Sequence, residues 1–244
     1  MKLGIMQPYP FPYIGYFELM AKVDRCVAFD VVQYNRRSWM NRNRILHPTS
    51  GWQYFCIPVQ KVPHGTALSA VRLAAPAEAE RRLLAQLQHY RRHAPYFREV
   101  VDLVRETFSH PDADSLVGLN LASLAAVSQR IGIAFSPQRC SALDLALDNI
   151  EHAGQWALRI AAHLGADAYL NPPGGQDIFR PEEWSAAGIE LGFTKMNDLR
   201  YACRPYVFEP NLSILDVLMW CSAEEVGRYL CNLRTEGPCH EQCH

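Results

Sequence analysis

Two rhythms of apolar residues run along the chain. The first is the short apolar run: Leu3 to Gln7 is one, ended by Pro8, and Cys26 to Val32 is another. Both predict buried strands. The second is helical. Phe17, Leu19, Met20 and Val23 give an apolar face to a helix predicted to begin near Gly15. The opening therefore reads strand, loop, helix, strand, the size of a βαβ unit.

Further along, Asn35 to Asn43 is polar and rich in arginine. Trp52 to Val59 and Leu68 to Leu73 are predicted strands, joined by a turn around Pro63 and Gly65. Helices are predicted for Ala77 to His93, for Tyr96 to Phe108, for Ser115 to Ile131 with Asp114 or Ser115 as cap, and for Asn149 to Leu164, closed by Gly165. Ala168 to Leu170 is a short strand feeding Asn171-Pro172-Pro173-Gly174-Gly175. A helix from Pro181 to Ala187, a strand from Ile189 to Phe193, and helices over Ile214 to Trp220 and Ala223 to Leu230 follow.

Strands alternate with helices at both ends but not in the middle. The expected fold is α/β, an open, mostly parallel, Rossmann-like sheet, with a nucleotidylyltransferase-like arrangement as its narrower form. A helical insertion or subdomain is expected at about 77–135. Residues 1–235 are expected to be a single domain, and 236–244 a tail containing Cys239, His240, Cys243 and His244.

Composition narrows the function classes. With 244 residues, 49% of them hydrophobic, the chain can bury a substantial core. Lys plus Arg is 24 against 25 for Asp plus Glu, a net charge of -1, so no broad nucleic-acid surface is expected. No apolar run approaches the roughly 18–20 residues needed to span a bilayer. The opening apolar stretch is too short for a signal-peptide core. The cytoplasm is therefore the expected compartment, with no membrane partner. The eight cysteines show no framework spacing and read mostly as small buried hydrophobes.

The densest candidate chemistry lies in Gln7-Pro8-Tyr9-Pro10-Phe11-Pro12-Tyr13-Ile14-Gly15-Tyr16-Phe17. Three tyrosines and a glutamine follow the first strand, at the sheet edge where open α/β proteins bind ligands. Prolines stiffen the loop, so its side chains lose little entropy on binding. Gly15 at a helix start would let an anion approach free backbone N–H groups. The competing reading is a proline bend with aromatic packing.

A second cluster combines Asp30, Gln33 and Tyr34 with Asn41, Arg42 and Asn43. Asp30 inside an apolar strand is costly unless its carboxylate is paired or used. A fixed ion pair with a nearby arginine is the structural alternative. Arg42, Asn41 and Asn43 offer donors suited to a carboxylate, phosphate or sugar hydroxyl. Gly174 and Gly175 allow close backbone approach to a ligand, or form a plain turn. The Cys-His tail could take zinc, or act as a loose metal-scavenging end. No G-x-S-x-G elbow and no H-E-x-x-H occurs. Cys26, Cys56 and Cys203 have no histidine partner readable from sequence.

These residues resemble those of the WbqC-like family of bacterial proteins. The resemblance rests on Met6-Gln7-Pro8-Tyr9, Phe11 to Phe17, Asp24, Phe29-Asp30, Val32-Gln33-Tyr34, and Trp39 with Asn41-Arg42-Asn43. Pro58-Val59, Tyr90, Ala94-Pro95-Tyr96, Tyr169, Gly174-Gly175, and Phe208 with Leu212 to Asp216 support it. It spans most of positions 3–220. The family is associated with surface-polysaccharide (O-antigen) and natural-product gene clusters, which implies group transfer to a small-molecule or sugar precursor. Asn171-Pro172-Pro173 departs from the family, which more often has Ser or Gly there, and the Cys-His tail is not a family feature. Pro12 to Tyr16 is also placed like the H-x-G-H motif of nucleotidylyltransferases and adenylating ligases, with tyrosines where those enzymes have histidines. ATP or another nucleotide with Mg²⁺ is the co-substrate this similarity implies. Charge on the phosphates would then fall to Arg42, Arg44 or Lys61.

The expected function is transfer of an acyl, aminoacyl or nucleotidyl group in a biosynthetic pathway. Tyr9, Tyr13 and Tyr16 would wall the pocket, with Tyr16, Asp30 and Arg42 taking the catalytic roles. Gln7, Gly15, Gln33, Tyr34, Asn41, Asn43, Lys61, Gly174 and Gly175 would bind substrate. No resident metal is expected, and a homodimer is the assembly considered. The alternative is a non-catalytic module that recognises a sugar or nucleotide-sugar for a partner enzyme.

Overall fold

The computed structural model describes residues 1–143, 145, 150–195 and 199–235. Five strands form one parallel sheet: β1 (Lys2–Met6), β2 (Arg25–Ala28), β5 (Gln138–Arg139), β6 (Ala168–Asn171) and β7 (Glu190–Phe193). Their spatial order is β5-β2-β1-β6-β7, and every pairing is parallel. The chain moves outward from β1 through β2 to β5, then returns to the other side of β1 for β6 and β7. The order therefore reverses between β1 and β6, and the crevice at the carboxyl ends of those strands is the topological switch point of a Rossmann-like sheet.

Alternation along β1 explains its two faces. Leu3 and Ile5 join a core with Val27, Tyr169, Ile160 of α5 (Gln155–His163) and Trp184 of α6 (Pro181–Ala186). On the other side α1 (Ile14–Lys22) lays Leu19 against the sheet beside Leu170.

The helical insertion contains α2 (Pro76–Leu87), α3 (Phe97–Phe108) and α4 (Leu116–Arg130). Ser115 caps α4, its Oγ accepting from Gly118 N at 2.9 Å. Helix α4 is buried around most of its circumference, which brings Asn120, Ser123 and Ser128 into the core. Helices α7 (Ile214–Trp220) and α8 (Ala223–Thr235) end the described chain, α7 packing on α3 and α8 on α1.

Three local expectations are corrected. Arg42–Leu46 is a strand, β3, paired antiparallel with β4 (Trp52–Cys56) in a separate hairpin. Its sequence looked polar because Arg42 and Arg44 point outward while Asn43 and Ile45 are buried. Leu68–Ala70 is a turn of 3₁₀ helix, not a strand. The strand expected over Cys26 to Val32 ends at Ala28, so Asp30 sits in the loop beyond it. Asn149, the expected start of α5, and the tail 236–244 lie outside the described residues.

The proline loop, residues 8–12, is held from three directions. Asn120 Nδ2 donates to Pro8 O at 2.8 Å, and Asn43 Nδ2 donates to Pro10 O and Phe11 O at 3.2 and 2.8 Å. Ser213 Oγ donates to Phe11 O at 2.6 Å, and Ile214 N to Pro12 O at 2.8 Å. Phe11 N donates to Ser123 Oγ at 3.1 Å, fixing a residue whose φ of 44° is left-handed and strained for a side chain of this size. Asn43→Ala removes two of these hydrogen bonds and leaves the Pro10 carbonyl without a partner among the described residues, while Phe11 O keeps Ser213 Oγ. It is expected to lower stability by about 2–3 kcal/mol, measured by urea denaturation.

Candidate functional site

A cavity of about 570 Å³ opens at the switch point. Ile5, Met6 and Gln7 supply its floor from the end of β1, and Phe29 follows β2. Asn171, Pro172, Gly174 and Gly175 enter from the end of β6, and Ala153, Trp156 and Ala157 from the start of α5. Tyr9, Tyr13, Tyr16 and Trp39 close it from the proline loop, α1 and the segment before the hairpin. Its wall is therefore rich in aromatic rings and carries no charged side chain among the described residues. Such a lining suits a ring-bearing or neutral ligand oriented by a few hydrogen bonds.

The tyrosines form one packed group. The Tyr9 and Tyr16 ring centroids are 5.2 Å apart, and those of Tyr13 and Tyr16 are 5.9 Å apart. Burial pushes all three hydroxyls above the ordinary tyrosine value, Tyr16 furthest, with the neighbouring Tyr9 next in effect on Tyr16 and the Glu18 charge next on Tyr13. They stay protonated at neutral pH and act as donors rather than bases. Tyr16 OH donates to Gln7 O at 2.9 Å, and Tyr9 OH to Gln7 Oε1 at 3.1 Å. With its carbonyl oxygen engaged, the Gln7 amide is left with its NH₂ as the donor to offer.

Asn171 is held in the same way on the neighbouring strand. Tyr169 OH donates to its Oδ1 at 2.8 Å, and its Nδ2 donates to Pro172 O at 2.9 Å. Tyr169 itself is fixed by stacking on Trp184, with centroids 4.8 Å apart. Two amides clamped by tyrosine hydroxyls thus stand on either side of the crevice. Gly175 makes this possible, since a Cβ there would lie 2.8 Å from Asn171 Nδ2. A Cβ at Gly174 would meet nothing within 4 Å, so this glycine leaves open space at the wall. The far rim is pinned by His152, whose Nε2 lies 3.0 and 3.1 Å from the two carboxylate oxygens of Glu183.

The structure brings Gln7, Tyr9, Tyr13, Tyr16, Gly174 and Gly175 to one cavity, and places the other sequence-derived residues elsewhere. Asp30 is fully buried behind the wall and accepts from Ser141 N at 2.8 Å and Ser141 Oγ at 2.6 Å. Its partner is thus a serine in the 3₁₀ turn after β5, not an arginine. Asn41 Nδ2 donates to Ile57 O at 3.0 Å, and Asn43 serves the proline loop. Arg42 lies on the outer hairpin face, over the Tyr54 ring at 4.3 Å, with Nη2 donating to Arg37 O. Gln33 is exposed and bridges to Ala67, Tyr34 is buried against the same segment through Thr66 O, and Lys61 is exposed. At Gly15 the space of a Cβ is filled by the Tyr13 ring, 2.4 Å away, so the glycine seats that ring over the start of α1 instead of opening it to an anion.

Burial raises the Cys26 thiol to about 12 and also raises Cys56 and Cys203, so none is a ready thiolate. Among the described residues no group of three or more His, Cys, Asp or Glu is placed to hold a metal ion.

Sequence reasoning assigned no site role to Trp156, Asn171, Trp39 or Phe29 on the cavity wall: Phe29 and Trp39 entered only through the family resemblance, Asn171 only in the loop before the paired glycines, and nothing local marks Trp156. It also passed over Asp216. This carboxyl is buried in α7 and accepts from Tyr90 OH and, at 2.5 Å, from Tyr201 OH. Burial raises it to about 6, against the lowering effect of the two hydroxyls. Tyr90 OH in turn accepts from Leu46 N at 2.8 Å, tying the hairpin to α7. The only signal was a single acid in the apolar run Ile214 to Trp220.

The chain matches the WbqC-like protein family over residues 7–228. Rv1507c, an uncharacterised protein of Mycobacterium tuberculosis (strain ATCC 25618 / H37Rv), is 26% identical over 224 residues, covering 91% of this chain and 95% of that relative. No solved structure matches.

Two substitutions separate architecture from ligand contact. Asp30→Asn weakens charge-assisted bonds to Ser141 and is expected to cost about 2 kcal/mol in chemical denaturation while leaving the cavity wall intact. For Asp216 the folded-state value lies above the unfolded one, so the folded chain binds the extra proton. Wild type should lose stability relative to Asp216→Asn as pH rises from about 4 to about 6, by up to about 3 kcal/mol. Paired urea melts across that range check the sign.

Proposed function

The chain belongs to the WbqC-like protein family, and from that premise we propose a biosynthetic enzyme that transfers an acyl, aminoacyl or nucleotidyl group to a small-molecule or sugar precursor. The observation that carries this reading is the cavity at the switch point, with neutral donors on an aromatic wall. For acyl or aminoacyl transfer the acceptor supplies the nucleophile. Its amine or hydroxyl attacks the activated carbonyl, and the new bond forms as the carbonyl electron pair moves onto oxygen. Tyr13 OH and the Gln7 amide NH₂ are the groups proposed to donate to that oxygen. Collapse of the intermediate expels the leaving group with its bonding pair, and the acceptor's proton departs with it. Positioning and hydrogen-bond donation, rather than a protein nucleophile, supply the rate.

The family's association with surface-polysaccharide and natural-product gene clusters supports an acceptor of sugar or related small-molecule type. A second reading is favoured by one observation, the lack of a charged acid or base on the described cavity wall. On that reading the protein binds a sugar or nucleotide-sugar for a partner enzyme.

Incubation with activated acyl and aminoacyl donors and a panel of amino sugars, read by mass spectrometry, separates the two. The enzyme reading expects a new acylated product, and Tyr13→Phe should lower its rate by about 10²-fold with little change in acceptor affinity. Acceptor binding without product from any donor class would favour the binding module. No binding of any acceptor would overturn both.

A further inference from the structure

The outer face of the hairpin carries an unusual ladder. Arg42 and Arg44 alternate on β3, and Trp52 and Tyr54 on β4, with Arg44 directly opposite Tyr54. The Arg42 guanidinium lies 4.3 Å from the Tyr54 ring centre and 5.9 Å from that of Trp39. The Arg44 guanidinium lies 5.3 Å from Trp39 and 5.0 Å from Trp52. Each uses one Nη2 on a backbone carbonyl, Arg37 O for Arg42 and Asn211 O for Arg44. Neither enters an ion pair among the described residues. The Nε of each is buried with no hydrogen-bond partner. Two oriented positive charges therefore stand without a paired carboxylate among the described residues.

Both tryptophans are more than a third exposed, at 37% and 39%. Large aromatic surface left at the solvent beside paired guanidiniums is suited to a ligand that combines a planar ring with an anionic group. Trp39 also belongs to the cavity wall. The ladder and the cavity are thus two parts of one continuous surface, one cationic and one neutral.

We propose that the Trp39–Arg42–Arg44–Trp52 face binds the base and phosphate of a nucleotide-activated donor, while the group to be transferred enters the tyrosine cavity. This rests on the group-transfer reading and names its donor class. The ring stacks on exposed indole, and the phosphate oxygens accept from the free guanidinium N–H groups. The phosphate-bearing fragment leaves with the bonding pair when the acceptor attacks. A polymeric anion is disfavoured by the net charge of -1, which leaves a footprint fit for one small ligand.

Calorimetry and tryptophan fluorescence with AMP, ADP and UDP test the proposal, with adenosine and inorganic pyrophosphate as arms that carry only ring or only charge. The nucleotides should bind and quench emission, and each single-feature probe should bind at least about tenfold more weakly. Arg44→Gln and Trp52→Ala should each weaken ADP by about tenfold or more, and Arg44→Lys by less, since it keeps the charge but loses the planar fork. Melting curves confirm that each variant is folded, and Arg44→Lys with Trp52→Ala serve if Arg44→Gln is not. No nucleotide binding at millimolar concentration, alongside intact acceptor binding, would overturn this inference and leave the cavity reading standing. Nucleotide binding that Arg44→Lys and Trp52→Ala leave unchanged would overturn it too. Pyrophosphate binding as tightly as ADP would reduce the face to a general anion site.

Discussion

Pro8, Pro10 and Pro12 remove three backbone donors from the loop that follows β1, yet that loop runs through the interior. Its carbonyls still need partners, because a buried acceptor without one costs on the order of 1–3 kcal/mol. The loop cannot satisfy them itself. Asn43, Asn120, Ser213 and the backbone of Ile214 do so from the hairpin, the helical insertion and α7. One five-residue bend is therefore the point at which the outlying parts of the chain are joined to the sheet. Phe11 shows how tightly, since a left-handed phenylalanine persists only where its surroundings over-determine it.

That constraint also shapes the candidate site. A bend free to move would not hold Tyr9, Tyr13 and Tyr16 in one packed group above the switch point. Fixed as it is, it sets Tyr16 on the Gln7 main-chain carbonyl and Tyr9 on the Gln7 side-chain oxygen, and the latter decides which end of that amide faces the cavity. Across the crevice the stack of Tyr169 on Trp184 does the same for Asn171. The two wall amides are thus pre-oriented by the Tyr9 and Tyr169 hydroxyls, which burial keeps protonated.

Four strands of the parallel sheet, β1, β2, β6 and β7, were legible because they fall in short, largely apolar runs, whereas the polar two-residue β5 carries no such signal; the proline-tyrosine loop was legible because its position follows from the first strand. The tyrosines, Gln7 and the paired glycines meet at the cavity for that reason. Asp30 and Asn43 were misplaced for a different one. A polar residue among apolar ones announces that it is buried with a partner, but not which partner. Ser141 lies 111 residues from Asp30, and Pro10 lies 33 residues from Asn43, so only the folded chain reveals them. Strand β3 was hidden because arginines that stack on aromatic rings read as a polar stretch. Trp156 and Phe29 complete the wall, their centroids 5.5 Å apart, through tertiary contact between α5 and the end of β2.

The division of charge follows from the same physics. A guanidinium placed inside the aromatic cavity would lose its hydration and need a permanent counter-ion, which would compete with any ligand. On the hairpin face Arg42 and Arg44 keep part of their solvent exposure and rest their planes on indole and phenol rings, an arrangement that tolerates a positive charge without a carboxylate. On the proposed reading the neutral wall would orient its ligand by shape and amide donors, and attraction for an anion would come from the hairpin face next to Trp39, the residue common to both surfaces. A substrate neutral at its reacting end and anionic at the other matches that polarity, and one of reversed polarity would place its charge where the described wall offers no cation.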